Sequence, residues 1–254
     1  MNAVAEIRAD VVAEGRRLVE RASAAQVPVR LFGGVAIRLH ADALPAALCR
    51  SYKDLDFVAA RGASAVASRF FEGAGYVAHS AFNALNGKER LLFFDEGNAR
   101  QLDVFVGSFR MCHSVPVADR LDLEAATIPL AELLVTKLQV VELNEKDVRD
   151  ALAIFHGHTV EDHDREAVNA GLIATLCAED WGLWRTVTRN LEACWLHVEG
   201  YELPSAEKEE LVAKITALLD RLEREPKSRA WKLRAKIGDR KRWYEMPEEV
   251  EGGP

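Results

Sequence analysis

The chain has 254 residues, about half of them apolar, and a formal net charge of -7. That length and apolar fraction suffice for a sizeable core in one large domain or two small ones, which excludes disorder as the default state. The acidic balance excludes a protein that coats nucleic acid through bulk charge, so a polyanionic partner has to be gripped by a local basic patch.

Residues 1–22, MNAVAEIRADVVAEGRRLVERA, carry charges every few positions and lack a continuous apolar run, so no signal peptide or membrane span is expected and the reading is cytoplasmic. Val4, Ile7, Val11, Leu18, Val19 and Ala22 recur at helical spacing and predict an amphipathic helix over residues 3–25. Pro28 breaks that pattern. Val29, Leu31 and Phe32 then run into Gly33-Gly34 and VAIRLHA, which reads as strand, tight glycine turn and helix.

The runs DLDFVAA, GYVAHSAF, ERLLFFDE and RQLDVFVG are short, aromatic or β-branched, and bounded by glycine, asparagine or charge, so all four are expected as strands. ASAVASRFFEGAG, between the first two, has the apolar spacing and terminal glycine of a helix packed on the sheet. The pattern changes near Pro129. LAELLVTKLQVVEL, KDVRDALAIF, VEDHDREAVNAGLIATLCAED, WGLWRTVTRNLEACWLHVEG and EKEELVAKITALLDRLERE all read as helices, and Thr159 with Asp162 reads as a capping-box-like helix start. Pro226 interrupts the last helix before a basic stretch, and the chain ends in an acidic tail, EEVEGGP. The expectation is an α+β fold, a mixed sheet with flanking helices over residues 1–125, followed by a helical domain over 126–254.

Asp54-Leu55-Asp56 stands where a strand begins. Side chains alternate along a strand, so residues 54 and 56 share a face about 7 Å apart. Like charges that close repel, and a hard cation such as Mg²⁺ is their natural compensation. Asp103 lies in the strand RQLDVFVG on the face opposite Leu102, Val104 and Val106, from where it can add a third carboxylate. Three carboxylates on adjacent strands can hold two metal ions, one activating an attacking oxygen and one stabilising a leaving oxygen in phosphoryl transfer. Gly33 and Gly34, between strand and helix, would let backbone N–H groups approach a phosphate at the positive end of the helix. Taken singly, Asp54 reads equally as a cap at the strand start and Asp103 as an exposed edge residue.

The segments RLFGGVAIRLH, RSYKDLDFV and QLDVFV together resemble the signature of the nucleotidyltransferase superfamily of DNA polymerase beta, over roughly residues 28–107. Within it, LAELLVTKLQVVELNEKDVRDALAI is similar to the helix pair of the nucleotidyltransferase toxins of abortive-infection (type IV) toxin–antitoxin systems. The resemblance implies a polymerase-beta-like fold and transfer of a nucleoside monophosphate from a nucleoside triphosphate to a hydroxyl, with release of pyrophosphate. It implies that Asp54, Asp56 and Asp103 bind two Mg²⁺ ions, with Mn²⁺ as a substitute. Gly33 and Gly34 would contact the triphosphate, Lys137 a phosphate or the ribose, and Asp147 or Asp150 would orient Lys137 or the nucleotide. The acceptor would be tRNA or another RNA, or a small molecule such as an aminoglycoside, and an antitoxin protein is an implied partner. A non-catalytic nucleotide-binding module is the rival reading.

His156, His158 and His163 with Asp162 and Asp164 have ligand types suited to a transition metal, but their irregular spacing reads better as a polar loop. Residues 227–243, KSRAWKLRAKIGDRKRW, hold eight lysines and arginines, one aspartate and two tryptophans. They read either as an RNA-binding surface or as a solvated helix with Trp231 and Leu233 packed on the body. Trp181, Trp184 and Trp195 are expected as core or interface anchors. Cys49, Cys112, Cys177 and Cys194 form no CxxC pair and read as reduced thiols.

Overall fold

The structure is a computed structural model that describes residues 7–41 and 43–246. Helix α1 (Val11–Ala24) begins later than its periodicity suggests, because the Asp10 carboxylate accepts the Ala13 N–H and sets the cap there. Residues 3–6 of that expected helix and the tail from residue 247 lie outside the described residues. On α1, Glu14 is buried. Burial works to raise its carboxyl, but hydrogen bonds from Arg17, the Arg8 amide and Tyr76 outweigh it and hold it below the usual range.

Then follow β1 (Val29–Phe32), α2 (Gly33–His40), β2 (Leu55–Ala59), α3 (Ser64–Gly73), β3 (Val77–Ala78), α4 (Ser80–Asn86), β4 (Arg90–Asp95) and β5 (Arg100–Val106). GYVAHSAF was expected to be all strand. It pairs only at Val77 and Ala78, because the His79 ring accepts the Phe82 N–H and starts α4.

The five strands form one mixed sheet in the order β1-β2-β5-β4-β3, with β2 and β5 parallel and the other pairs antiparallel. Register assigns the faces. Leu55, Phe57 and Ala59 pair with Leu102, Val104 and Val106 on one face, while Asp56 and Val58 pair with Asp103 and Phe105 on the other. The first face is core: Phe71 of α3 meets Phe57 and Phe93 at ring distances of 5.0 and 5.5 Å. Aromatics buried this way each contribute on the order of 2–3 kcal/mol.

A short hairpin, β6 (Phe109–Arg110) and β7 (Ser114–Val115), leads to α5 (Leu130–Leu138) and α6 (Glu145–Gly157), and both of these helices pack on α2. The segment VEDHDREAVNAG departs from the expected helix. It contributes to a two-stranded parallel pair, β8 (Thr159–Glu161) with β9 (Ala167–Asn169), so Thr159 lies in a strand and caps nothing. The helix starts only at α7 (Ala170–Glu179), where Asn169 accepts the Leu172 N–H. Between the strands, Asp164 is held by Arg120, which also grips Glu132 of α5. Helices α8 (Trp181–His197), α9 (Ser205–Arg224) and α10 (Arg229–Ala235) complete the chain, and one hydrophobic core cluster includes residues from the sheet and from α5 to α9. No described helix is long and apolar enough to cross a membrane.

Candidate active site

The parallel pairing of β2 with β5 sets Asp56 and Asp103 as direct partners on neighbouring strands, about 4.8 Å apart at the backbone. Asp54, just ahead of β2, accepts the Gln101 amide at 3.4 Å, which brings the third carboxylate to the same end of the sheet. Gln101 also donates its side-chain amide to Asp103 Oδ2 at 2.7 Å. From β4, Arg90 Nε and Nη2 both reach Asp103 Oδ1, at 2.7 and 2.6 Å, and the guanidinium stands over Phe105 and Phe82.

Asp56 is different. Its side chain meets no hydrogen-bond donor among the described residues, and burial, then the charges of Asp103 and Asp54, push its carboxyl up to about 7 despite the opposing pull of Lys137 and Arg90. An ionised carboxylate with no donor beside a second carboxylate is a fitting oxygen donor for a hard divalent cation. Among the described residues no three acidic, histidine or cysteine side chains stand as a ready-made chelate, and Asp103 is engaged by Arg90 and Gln101.

The two glycines abut this cluster. Gly33 has φ +69°, and a side chain there would strike Asp56 Oδ2; one at Gly34 would strike the Arg50 guanidinium. The space beside each glycine is thus used by a charged side chain. Helix α2 begins at Gly33 behind Phe32, with no side-chain cap, so its first-turn amides keep their hydrogen-bonding capacity.

Arg50 grips both oxygens of Asp150 at 2.7 and 2.6 Å and lies 4.3 Å from the Tyr52 ring centre. Lys137, from the last turn of α5, reaches Asp150 at 2.9 Å and Asp147 at 3.2 Å. Burial works against the charge on both cations, but Asp150 and its neighbours outweigh it and raise both. Asp150 is held below the usual carboxylate range: burial opposes, and Arg50 and Lys137 prevail. Gly33, Gly34, Asp54, Asp56, Asp103, Lys137, Asp147 and Asp150 are therefore linked through Arg50 and the field of Lys137 at Asp56.

Arg50, Arg90 and Gln101 were not anticipated from sequence. The signals were present: an arginine four residues ahead of Asp54, and a charge opening the apolar strand that forms a hairpin with the Asp103 strand. The histidines do not converge. His156 pairs with Glu207 at 3.1 Å, His158 lies 3.3 Å from the Glu166 carbonyl, and His163 sits in the loop between β8 and β9.

The basic segment is built onto α8. Trp231 packs against Trp184 at 5.1 Å, Arg234 lies over Trp181, and Trp243 bonds to Thr186. Leu233, expected to pack with Trp231, is 64% exposed, and Trp195, expected as a core or interface anchor, is 42% exposed and so lies outside the core. Arg229, Lys232, Lys236, Arg240, Lys241 and Arg242 are exposed and form no ion pair among the described residues. Of the cysteines, Cys49 is exposed, Cys112, Cys177 and Cys194 are buried, and all four are free thiols.

The chain matches no protein-family model and no curated protein.

Proposed function

We propose that the protein is a metal-dependent nucleotidyltransferase with a polymerase-beta-like fold, related to the toxin branch of that superfamily. The observation that carries this reading is the in-register pairing of Asp56 with Asp103 on parallel neighbours, with Asp54 beside them and an uncapped helix start facing Asp56. Asp54, Asp56 and Asp103 would hold Mg²⁺, which when bound supplies positive charge to the phosphates and acidifies an acceptor hydroxyl. The acceptor hydroxyl gives up its proton to solvent as its oxygen attacks the α-phosphorus, the bond from that phosphorus to the β-phosphate oxygen breaks, and pyrophosphate leaves with the electron pair. Lys137 and the first-turn amides of α2 are among the groups of this chain that would meet the phosphates.

Six exposed cations of the C-terminal segment, which form no ion pair among the described residues, favour RNA, such as a tRNA end, over an aminoglycoside as acceptor. The deciding experiment incubates the protein with each α-labelled nucleoside triphosphate and Mg²⁺, adding either total tRNA or an aminoglycoside panel. Label on tRNA, lost in Asp56→Asn, is expected. Label on neither acceptor class would sink the assignment. Changing Lys232, Lys236, Arg240, Lys241 and Arg242 together to Gln should weaken RNA binding and flatten its salt dependence, because each lost phosphate contact ends a counterion release. Arg234 is kept, since it packs on Trp181 and bonds the Gly238 and Lys241 carbonyls.

A further inference from the structure

Asp56 and Asp103 are partners in one register, yet their surroundings are opposite. Asp56 has no hydrogen-bond donor among the described residues, whereas Asp103 has both oxygens engaged: Oδ1 by Arg90 at 2.6 and 2.7 Å, Oδ2 by Gln101 at 2.7 Å. A metal ligand needs a lone pair turned toward the ion at about 2.1 Å for Mg²⁺. A guanidinium already seated on that oxygen blocks the lone pair and repels the incoming divalent charge. Arg90 is also able to leave. Its side chain is 25% exposed, against 7% for Asp103, and its other neighbours are the faces of Phe105 and Phe82 at 5.0 and 5.8 Å, which hold a cation without neutralising it. Arg50, the other guanidinium nearby, is tied to both oxygens of the buried Asp150 and has no such freedom.

We infer that Arg90 is a resident counter-cation of Asp103, one that competes with the divalent metal and is drawn off by the triphosphate, so that metal and nucleotide bind in a coupled manner. This rests on the reading of Asp54, Asp56 and Asp103 as the metal site. The physical basis is exchange of partners. A triphosphate offers the guanidinium a forked anion in place of the carboxylate, and the carboxylate then turns to the metal. By linkage, if nucleotide strengthens metal binding, metal strengthens nucleotide binding by the same factor. Arg90 acts here as a positioning residue.

The test measures Mn²⁺ binding by the loss of its free electron-paramagnetic signal, and separately the binding of a fluorescent non-hydrolysable nucleoside triphosphate with and without Mn²⁺. Wild type, Arg90→Gln and Asp56→Asn are compared. Arg90→Gln should bind Mn²⁺ alone roughly five- to tenfold more tightly, bind triphosphate more weakly, and lose most of the coupling between the two, a span typical of coupled sites. A merely structural Arg90 would not tighten Mn²⁺ binding. Mn²⁺ affinity equal to or weaker than wild type in a folded Arg90→Gln protein overturns the inference. Should Arg90→Gln fail to fold, Arg90→Lys keeps the charge without the fork and should show a smaller gain of the same sign, no gain being equally decisive against it. The two readings fail differently. Mn²⁺ binding that Asp56→Asn leaves intact in wild type and Arg90→Gln, or no binding in either, removes the metal site and this inference with it. Binding that depends on Asp56 but not on Arg90 removes this inference alone.

Discussion

Two polar clusters meet the two glycines that open α2, and they differ in charge balance. In one, Arg50 and Lys137 face Asp147 and Asp150, two cations against two carboxylates, with every carboxylate engaged. In the other, Asp54, Asp56 and Asp103 face Arg90, and Asp56 has no donor among the described residues. The balanced cluster has its charges matched within the protein and can serve as a scaffold that holds Lys137 in place. The unbalanced one carries strain that a divalent cation would relieve, and a fold that leaves surplus charge half-buried marks where a solute belongs.

The sharpest separation comes from removing one carboxylate from each. Asp56→Asn should lower Mg²⁺-dependent transfer by on the order of 10²–10³ or more while leaving melting temperature unchanged or raised, as labelled-product assays and thermal unfolding would report. Asp150→Asn should do the reverse in stability. It strands Arg50 and Lys137 and should cost about 3 kcal/mol in denaturant unfolding, with or without Mg²⁺. If Asp150→Asn melts like wild type, the scaffold assignment fails.

Next comes pH. The Asp56 carboxyl is raised from its ordinary 3.8 to about 7, so the folded chain holds this proton more tightly than the unfolded one. Its contribution is full below pH 3.8 and is lost as pH rises to about 7, a decline of about 2 kcal/mol after allowance for solvent screening. Thermal scans should show Mg²⁺ stabilising the protein more at pH 8 than at pH 5, and Asp56→Asn should flatten both trends. An equal Mg²⁺ effect at the two pH values would contradict this.

The smallest effects belong to the glycines. Gly33→Ala forces a side chain into positive φ and against Asp56, and should cost about 1–2 kcal/mol together with metal affinity. Gly34→Ala meets the Asp150-bound guanidinium of Arg50 and the Tyr52 ring, away from the carboxylate cluster, and should cost about 1–2 kcal/mol with Mn²⁺ binding intact. Calorimetric titration of both variants checks the contrast.

Much of this arrangement was legible in the sequence. Helices α5, α6, α8 and α9 follow from their helical period, and strands β1, β2, β4 and β5 from short apolar runs with turn-forming or charged bounds. The failures have local causes. His79 caps α4 through a ring nitrogen, a use of histidine that composition does not signal, and β8 and β9 are three residues each, too short for a period to register. The aspartates stood out because Asp-x-Asp opens one apolar strand and Asp103, opposite Leu102 and Val104, interrupts another. Their partners were not, because Arg50 meets Asp150 across 100 residues and Arg90 meets Asp103 through a hairpin register.

Parallel pairing of β2 with β5 also sets a timetable for synthesis. Between the two strands the chain makes an excursion through α3, β3, α4 and β4, and β5 slots in beside β2 only afterwards. A ribosome that has made Asp54 and Asp56 has therefore made no complete carboxylate set; Asp103 must clear the exit tunnel and the long-range strand contact must close first. Long-range strand pairing of this kind is slow compared with helix formation, so under the proposed function metal capture would be a late event of folding. Under the proposed function, a nascent chain stalled before residue 100 would lack Asp103 and so the complete carboxylate set, and activity would appear only with the closure of the sheet.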